Sequence, residues 1–364
     1  MTSPERPSHS DPSVAGALAT TTAPSAGTDV VGGAAVAGSP VRLRVARMVD
    51  DGVVELTGLV ALRELETREP PGVGEMVWVD LTEPDAATVE AVAARLGLHP
   101  LIAEDIVEGN QRSKIEVTEG LVHLVLFSLA FHEERIRALE VDLILGDGFL
   151  LSVHPEDWDP RGGHMFRSGV EHVLRKGPDH VLWALVDSIV DAYFPFADRL
   201  EDTIDALQDQ VVERTDRRIL VEVFRLKREL IAVRRAVSPV REILNQLSNR
   251  DLALIDPEEV LYFRDIYDHV IRLADELDTD RELVAATLEV YLSQVNNNLS
   301  LIMKRLTGVT VLLAGIGAFA GIFGMSEAGA AFAGAEARGF WLVTFGTIGL
   351  WGLIAFGLRR VGWI

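Results

Sequence analysis

Hydrophobic and polar positions change their period twice along the chain. Residues 1–40 are rich in Ala, Ser, Thr, Gly and Pro and have no period, which predicts a disordered N-terminal segment. From residue 41 to 160, short apolar runs predict strands over 41–48, 52–59, 76–81, 120–131, 139–145 and 149–153. Asp147-Gly148 is a hairpin turn signal between the last two. Helical patterns over 85–96 and 99–108 interrupt them, so the expectation is an α/β domain whose sheet contains antiparallel pairs. Beyond Gly162 the strand signals stop. Residues 180–212, 217–247 and 257 onward read as long helices, with 161–256 as a helical region and Pro239 expected to kink or interrupt its second helix.

No proline follows Pro257. Ile266, Val270, Leu273, Leu277, Val284, Leu288, Tyr291, Val295, Leu299 and Ile302 keep near-helical spacing, which predicts one helix over 258–325, about 100 Å long. Its last stretch, from Lys304 to Met325, opens on two charges and has none after them, over a length of about 20 residues that suits a bilayer core. A second apolar run covers 340–358. Thr310, Ala314, Gly317, Gly321 and Gly324 form a small or polar stripe on the first run, while Leu312, Ile316, Phe319 and Phe323 are bulky on another face. Two readings compete for the small stripe. Close helix packing is favoured by the residues alone, with Gly317 and Gly321 as a small-xxx-small pair. The other is a pore wall that turns bare backbone toward water or an ion.

Charge orients these runs. Lys304 and Arg305 precede the first span, and Arg359 and Arg360 follow the second. The positive-inside rule puts both basic ends and both termini in the cytoplasm and the 326–339 loop outside, as in a multi-pass plasma-membrane protein. Trp341 and Trp363 flank the second span at interfacial positions. The start of the chain lacks a basic region followed by an apolar core, so no signal peptide is expected. The formal net charge of −21 argues against nucleic acid or anionic lipid surfaces and suits the attraction of cations, although solubility alone accounts for it equally well. The 364 residues include no cysteine, which excludes disulfides and thiolate metal sites.

Acids recur at helical spacing: Glu104 beside Asp105, Asp187 one turn from Asp191, and Asp265 near Asp268 and His269. Carboxylates from different subunits could hold Mg2+, but in so acidic a chain a solvated helix face is the simpler reading. Asn296, Asn297, Asn298 and Ser300 could solvate an ion entering a funnel, or form an ordinary polar turn. No phosphate loop, HExxH or Gly-x-Ser-x-Gly is present, so no enzyme and no organic substrate is expected. His123 and His132 fall in strand-like stretches and read as structural.

Several motifs then resemble one family. They are Trp78-Val-Asp-Leu, His99-Pro-Leu-Ile-Ala-Glu-Asp, Gln111-Arg-Ser-Lys, Asp191-Ala-Tyr-Phe, Pro239-Val-Arg-Glu, Tyr262-Phe-Arg-Asp-Ile-Tyr-Asp-His, Tyr291-Leu-Ser-Gln-Val-Asn-Asn, Met303-Lys-Arg-Leu-Thr, Gly321-Ile-Phe-Gly-Met and the Gly362-Trp-Ile tail. Together they look like the CorA family of magnesium transport proteins, from about residue 41 to the end. The resemblance implies an α+β cytoplasmic domain, a long stalk helix and two C-terminal transmembrane helices, assembled as a pentameric funnel in the bilayer. It implies Mg2+ both as the transported ion (with Co2+ or Ni2+ as further cargo) and as a regulatory ion. Asp105 and Asp265 match an intersubunit sensing site, with Glu104 and Asp191 nearby. Ser300, Leu306, Thr310, Ala314, Gly317, Gly321 and Gly324 fall at pore positions, and this turns the small stripe toward the pore reading. Gly324, Met325 and Ser326 stand at the family's Gly-Met-Asn mouth, with serine for asparagine. Ala314, Gly315 and Gly317 also replace larger or stiffer residues, so each departure widens or softens the pore. A zinc-transporting relative of the same fold, or a non-conducting membrane-anchored Mg2+ sensor, are the alternatives.

Overall fold

The computed structural model describes residues 41–360, apart from 325–337 and eight single positions (51, 73, 119, 133, 134, 215, 250 and 251), together with Gly362. Seven strands form one sheet: β1 (Leu43–Val49), β2 (Gly52–Thr57), β3 (Val77–Thr82), β4 (Lys114–Thr118), β5 (Leu121–His132), β6 (Arg135–Gly146) and β7 (Phe149–His154). Their order is β2-β1-β3-β7-β6-β5-β4. Every neighbouring pair is antiparallel except β3 and β7, which run parallel.

Alternation along the strands feeds two cores. Val77, Val79, Leu81, Leu151 and Val153 point to one face, where they meet α1 (Gly58–Thr67), α2 (Ala86–Leu96) and α3 (Pro100–Glu108). Trp78, Leu124, Leu126, Val141, Leu143 and Leu150 point to the other. That face is covered by α4 (Val170–Leu174), α5 (Pro178–Asp191), α6 (Phe194–Glu213), α7 (Arg217–Asn249) and the first part of α8 (Val260–Gly324). α9 (Arg338–Arg360) follows. His123 is buried and faces Asp142 at 2.8 Å inside the sheet, which is a structural role.

Three expectations are corrected. The expected helix over 180–212 breaks between α5 and α6, because Pro195 in the first turn of α6 has no N–H for the carbonyl of Asp191. The buried Tyr193 fills the break and donates its hydroxyl to the Phe127 carbonyl at 2.5 Å. Pro239, by contrast, lies inside the 33-residue helix α7 and does not interrupt it. The third correction concerns elements unread in the sequence: α1, β4, α4 and a 3-10 turn at His164–Ser168. β4 was hidden by its polar, half-exposed edge sequence, and α1 by an apolar run that turns at Gly58 with φ of 60°.

α8 is a single helix of 65 residues, about 100 Å long. Its base is clamped to α5: the Asp256 N–H donates to Asp179 Oδ2 at 2.9 Å, and the fully buried His180 meets Glu259 Oε2 through Nδ1 at 2.9 Å. Phe263, Ile266, Val270, Leu273, Leu277, Val284 and Tyr291 are buried along one stripe. Asp280 interrupts that stripe at a core-facing position and is 3 % exposed. Its Oδ2 has no hydrogen-bond partner. Cover on the stripe ends near Val295; Leu299 and Ile302 are exposed.

Burial first, then the carboxylates of Glu276, Glu201 and Asp205, push the Asp280 carboxyl up to about 6. The folded chain therefore keeps this proton between about pH 4 and pH 6, where an unfolded aspartate has lost it, so stability falls as pH rises through that window. Asp280→Asn should raise the melting temperature by a few degrees near pH 7.5, with the gain fading toward about pH 4. Thermal melts across pH check this, and a gain that does not change with pH would contradict it.

Candidate metal centre and conduction path

Two places in this fold carry chemistry suited to cations. The first lies in the sheet-bearing domain. α5 places Asp187 and Asp191 one turn apart on one face, and the 3-10 turn lays His164 over them. His164 Nδ1 lies 3.3 Å from Asp191 Oδ2 and 3.6 Å from Asp187 Oδ2. The approach depends on Gly163, where an added Cβ would sit 2.8 Å from Ser188 Oγ. Asp187 is buried, whereas His164 and Asp191 are exposed. Burial, then the charge of Asp191, raise the Asp187 carboxyl to about 6, against the opposing pull of His164 and His269. Asp265 also acts on it, so the stalk helix α8 lies within electrostatic reach of this group.

The other acids expected as ligands are placed differently. Asp105, on α3, is half-buried; it accepts from Lys114 Nζ at 2.6 Å and from Gln111 Nε2 at 3.2 Å. Glu104 is exposed on the same helix, and Asp265 and Asp268 are exposed on α8. Among the described residues, no hydrogen bond or ion pair joins Asp105 to Asp265 within the chain. The structure brings Asp191 together with Asp187 and His164 instead. Sequence reading missed His164, because it lies 23 positions before Asp187 in a turn with no helical period, where only Gly162-Gly163 hinted at a close approach.

The second place is the upper part of α8. Gly308 is buried and Leu312, Gly315 and Phe319 are partly covered, all on one face. That face meets α9: an added Cβ on Gly315 would lie 1.8 Å from a ring carbon of Trp351. Thr310, Ala314, Gly317 and Gly321 fall two residues further on, about 200° round the helix. They are exposed, and nothing lies within 4 Å of a Cβ added at Gly317 or Gly321. Thr310 Oγ1 donates to the Leu306 carbonyl at 2.8 Å, which leaves its lone pairs free to accept. Ser300 and Leu306 are exposed too. Gly324 closes the helix, and Met325 and Ser326 lie outside the described residues.

The family model described as "CorA-like Mg2+ transporter protein" matches residues 73–360. The chain belongs to this CorA family. Its members are transport proteins, not enzymes. A "Cobalt/magnesium transport protein CorA" of Thermotoga maritima is 34 % identical over 256 residues, covering 68 % of this chain and 72 % of the relative. A second protein of that description, from Methanocaldococcus jannaschii, is 24 % identical over 292 residues, covering 79 % of this chain and 92 % of the relative. The solved structure "The complete structure of CorA magnesium transporter from Methanocaldococcus jannaschii" superposes with a TM-score of 0.74 at 21 % identity, over 89 % of this chain and 99 % of that one. The sheet, the long helix and the second apolar helix of this chain are therefore the CorA fold.

The two glycine faces of this CorA protein predict opposite outcomes. Gly315→Leu should drive a side chain into Trp351 and cost about 1–3 kcal/mol, separating α8 from α9, whereas Gly317→Leu should leave that pair intact. Thermal melts of the solubilised protein check it. An equal loss in both variants, or a larger one at Gly317, would contradict the placement.

Proposed function

We propose that this chain is the subunit of a channel-like homopentamer of the plasma membrane that passes hydrated divalent cations, Mg2+ first and Co2+ or Ni2+ with it. The observation that carries the reading is the small stripe Thr310, Ala314, Gly317 and Gly321 on the face of α8 turned away from α9. A helix already packed through Gly308 and Gly315 gains nothing from a second bare face unless something must pass it or pack on it. Around an axis, five such faces make a wall of small residues, where backbone and Thr310 oxygen can meet the waters of a hydrated ion. The names of the relatives support Mg2+ and Co2+ as cargo. Met325 and Ser326 would stand at the outer mouth, with Gly324, Leu306 and Ser300 along the path, and both termini in the cytoplasm.

Gating follows from the acids. Mg2+ takes oxygen ligands and keeps much of its water. Asp265 offers an exposed carboxylate, and Asp105 keeps lone pairs beyond those used by Lys114 and Gln111, so both fit outer-sphere contact with a hydrated ion between neighbouring subunits. Bound Mg2+ would hold the closed ring, and its loss would shift the population toward open forms. Glu104 and Asp191 add negative potential to that site.

Uptake into proteoliposomes holding a Mg2+-sensitive dye tests transport, with Ser326→Asn beside the parent. Uptake by the parent is expected, with weaker discrimination between divalent ions than in the asparagine variant. No flux of any divalent ion from a well-formed oligomer would overturn the reading and favour a membrane-anchored sensor, while Zn2+ in preference to Mg2+ would move the protein to the zinc branch. Gating has its own test. Mg2+ should protect the cytoplasmic part from protease, and the Asp105→Ala/Asp265→Ala double variant should lose that protection; unchanged protection would remove the gating claim.

A further inference from the structure

We infer that the carboxyl ends of β3 and β7 form a binding site for a small zwitterion, an α-amino acid, with Asp80 taking its ammonium group and Arg44 its carboxylate. β3 and β7 are the parallel pair in an otherwise antiparallel sheet. After β3 the chain crosses to α2 on one face, and after β7 it crosses to α4 and α5 on the other. Connections that part in this way open a crevice beyond the strand ends, and open α/β sheets bind ligands in such crevices. Here the crevice is a cleft of about 460 Å³, with Arg42, Arg44, Asp80, Thr82, His154 and Glu156 in its walls. Sites for small molecules span about 300–1,000 Å³.

The walls depart from the pattern of the core. Ala46, Trp78 and Leu150 form an apolar row across β1, β3 and β7. Two residues along, on the same face, the row is Arg44, Asp80 and Ser152. Thr82 and His154 follow in the next. Asp80 is 2 % exposed and Ser152 0 %, so contact with solvent does not account for their polarity. Asp80 Oδ1 accepts from Ser152 Oγ at 2.6 Å and lies 3.1 Å from His154 Nε2. Ser152 Oγ accepts in turn from Trp78 Nε1 at 3.0 Å, which fixes the orientation of the carboxylate.

Two unmatched groups then set the ligand class. Asp80 Oδ2 has no hydrogen-bond partner, whereas buried carboxylate oxygens are normally satisfied. Arg44 is the register partner of Asp80 on β1 and lines the same cleft, yet among the described residues it forms no ion pair. Arg42, by contrast, is tied to Glu156 at 2.6 Å. A bare cation on Asp80 would leave Arg44 unpaired and repelled, and a bare anion on Arg44 would do the same to Asp80. An α-amino acid carries both charges on one carbon and satisfies the two together, its carboxylate matching the fork of the guanidinium. Arg42, Arg44 and Glu156 are exposed at the rim, so entry needs rotation of side chains and no movement of the sheet.

The inference does not rest on conduction, and its test reads binding. The full-length protein in detergent is titrated by calorimetry with L-alanine, L-lysine and L-glutamate, which share the zwitterion and differ in side chain. At least one should bind saturably, with one molecule per chain. The N-acetylated and C-amidated forms of that amino acid each lack one charge and should bind at least about tenfold more weakly. Arg44→Gln and Asp80→Asn should each weaken the amino acid at least about tenfold. Oligomer elution and circular dichroism matching the parent show that a variant is folded, and the two derivatives test the claim on the parent chain itself. No saturable binding of any of the three amino acids, equal affinity in the parent and Arg44→Gln, or undiminished binding of either derivative would overturn the assignment.

Discussion

One helix has to satisfy two solvents without a break. α8 runs 65 residues from the clamp at Glu259 to Gly324. Its hydrogen-bond ladder fixes the rotation of every residue relative to every other. In its first part the phase is set by the stripe from Phe263 to Tyr291, which must face α6 and α7 to leave water. In the apolar part it is set by Gly315, which lets α9 approach at Trp351. With both phases fixed, Thr310, Ala314, Gly317 and Gly321 are turned away from α9. Their bareness is a consequence of rigid helical geometry as much as of their own small size.

The base of the same helix is tied to α5. Asp256 and Glu259, at the start of the stalk, are held by Asp179 and His180 from α5. One helical face further along, α5 carries Asp187 and Asp191 under His164, and the charges of Asp265 and His269 on α8 act on Asp187. α5 therefore touches the stalk mechanically at its first turn and electrostatically at its last. Asp280, buried in the packed stripe with an unmatched oxygen, weakens the seam between α6 and α8 on the way.

Much of this fold was legible in the sequence. The 3.6-residue period after Pro257 marked α8 to within a few residues at each end, and alternation marked the sheet, because both patterns record burial on one side of an element. Legibility failed where neighbours decide. Pro195 stands in the first turn of a new helix and Pro239 inside a continuous one, although both carry the same missing donor. β4 shows little hydrophobic pattern because it is a sheet edge. At the site, spacing on α5 paired Asp187 with Asp191, yet the histidine that completes the group comes from a turn with no period of its own. The glycine stripe was visible, but its direction was not. Only the position of Trp351 against Gly315 shows which glycine face meets α9.

The central claim is that the face of α8 opposite α9 borders the ion path. The chain has no cysteine, so single cysteines can be placed on a clean background. The most direct measurement is the block of divalent uptake by a membrane-impermeant thiol reagent, in variants with cysteine at each position from Gly308 to Gly317. Block at Thr310, Ala314 and Gly317, with Gly308, Leu312 and Gly315 spared, is the predicted result. Block that follows the Gly308 and Gly315 face, or that shows no helical period, would contradict the account.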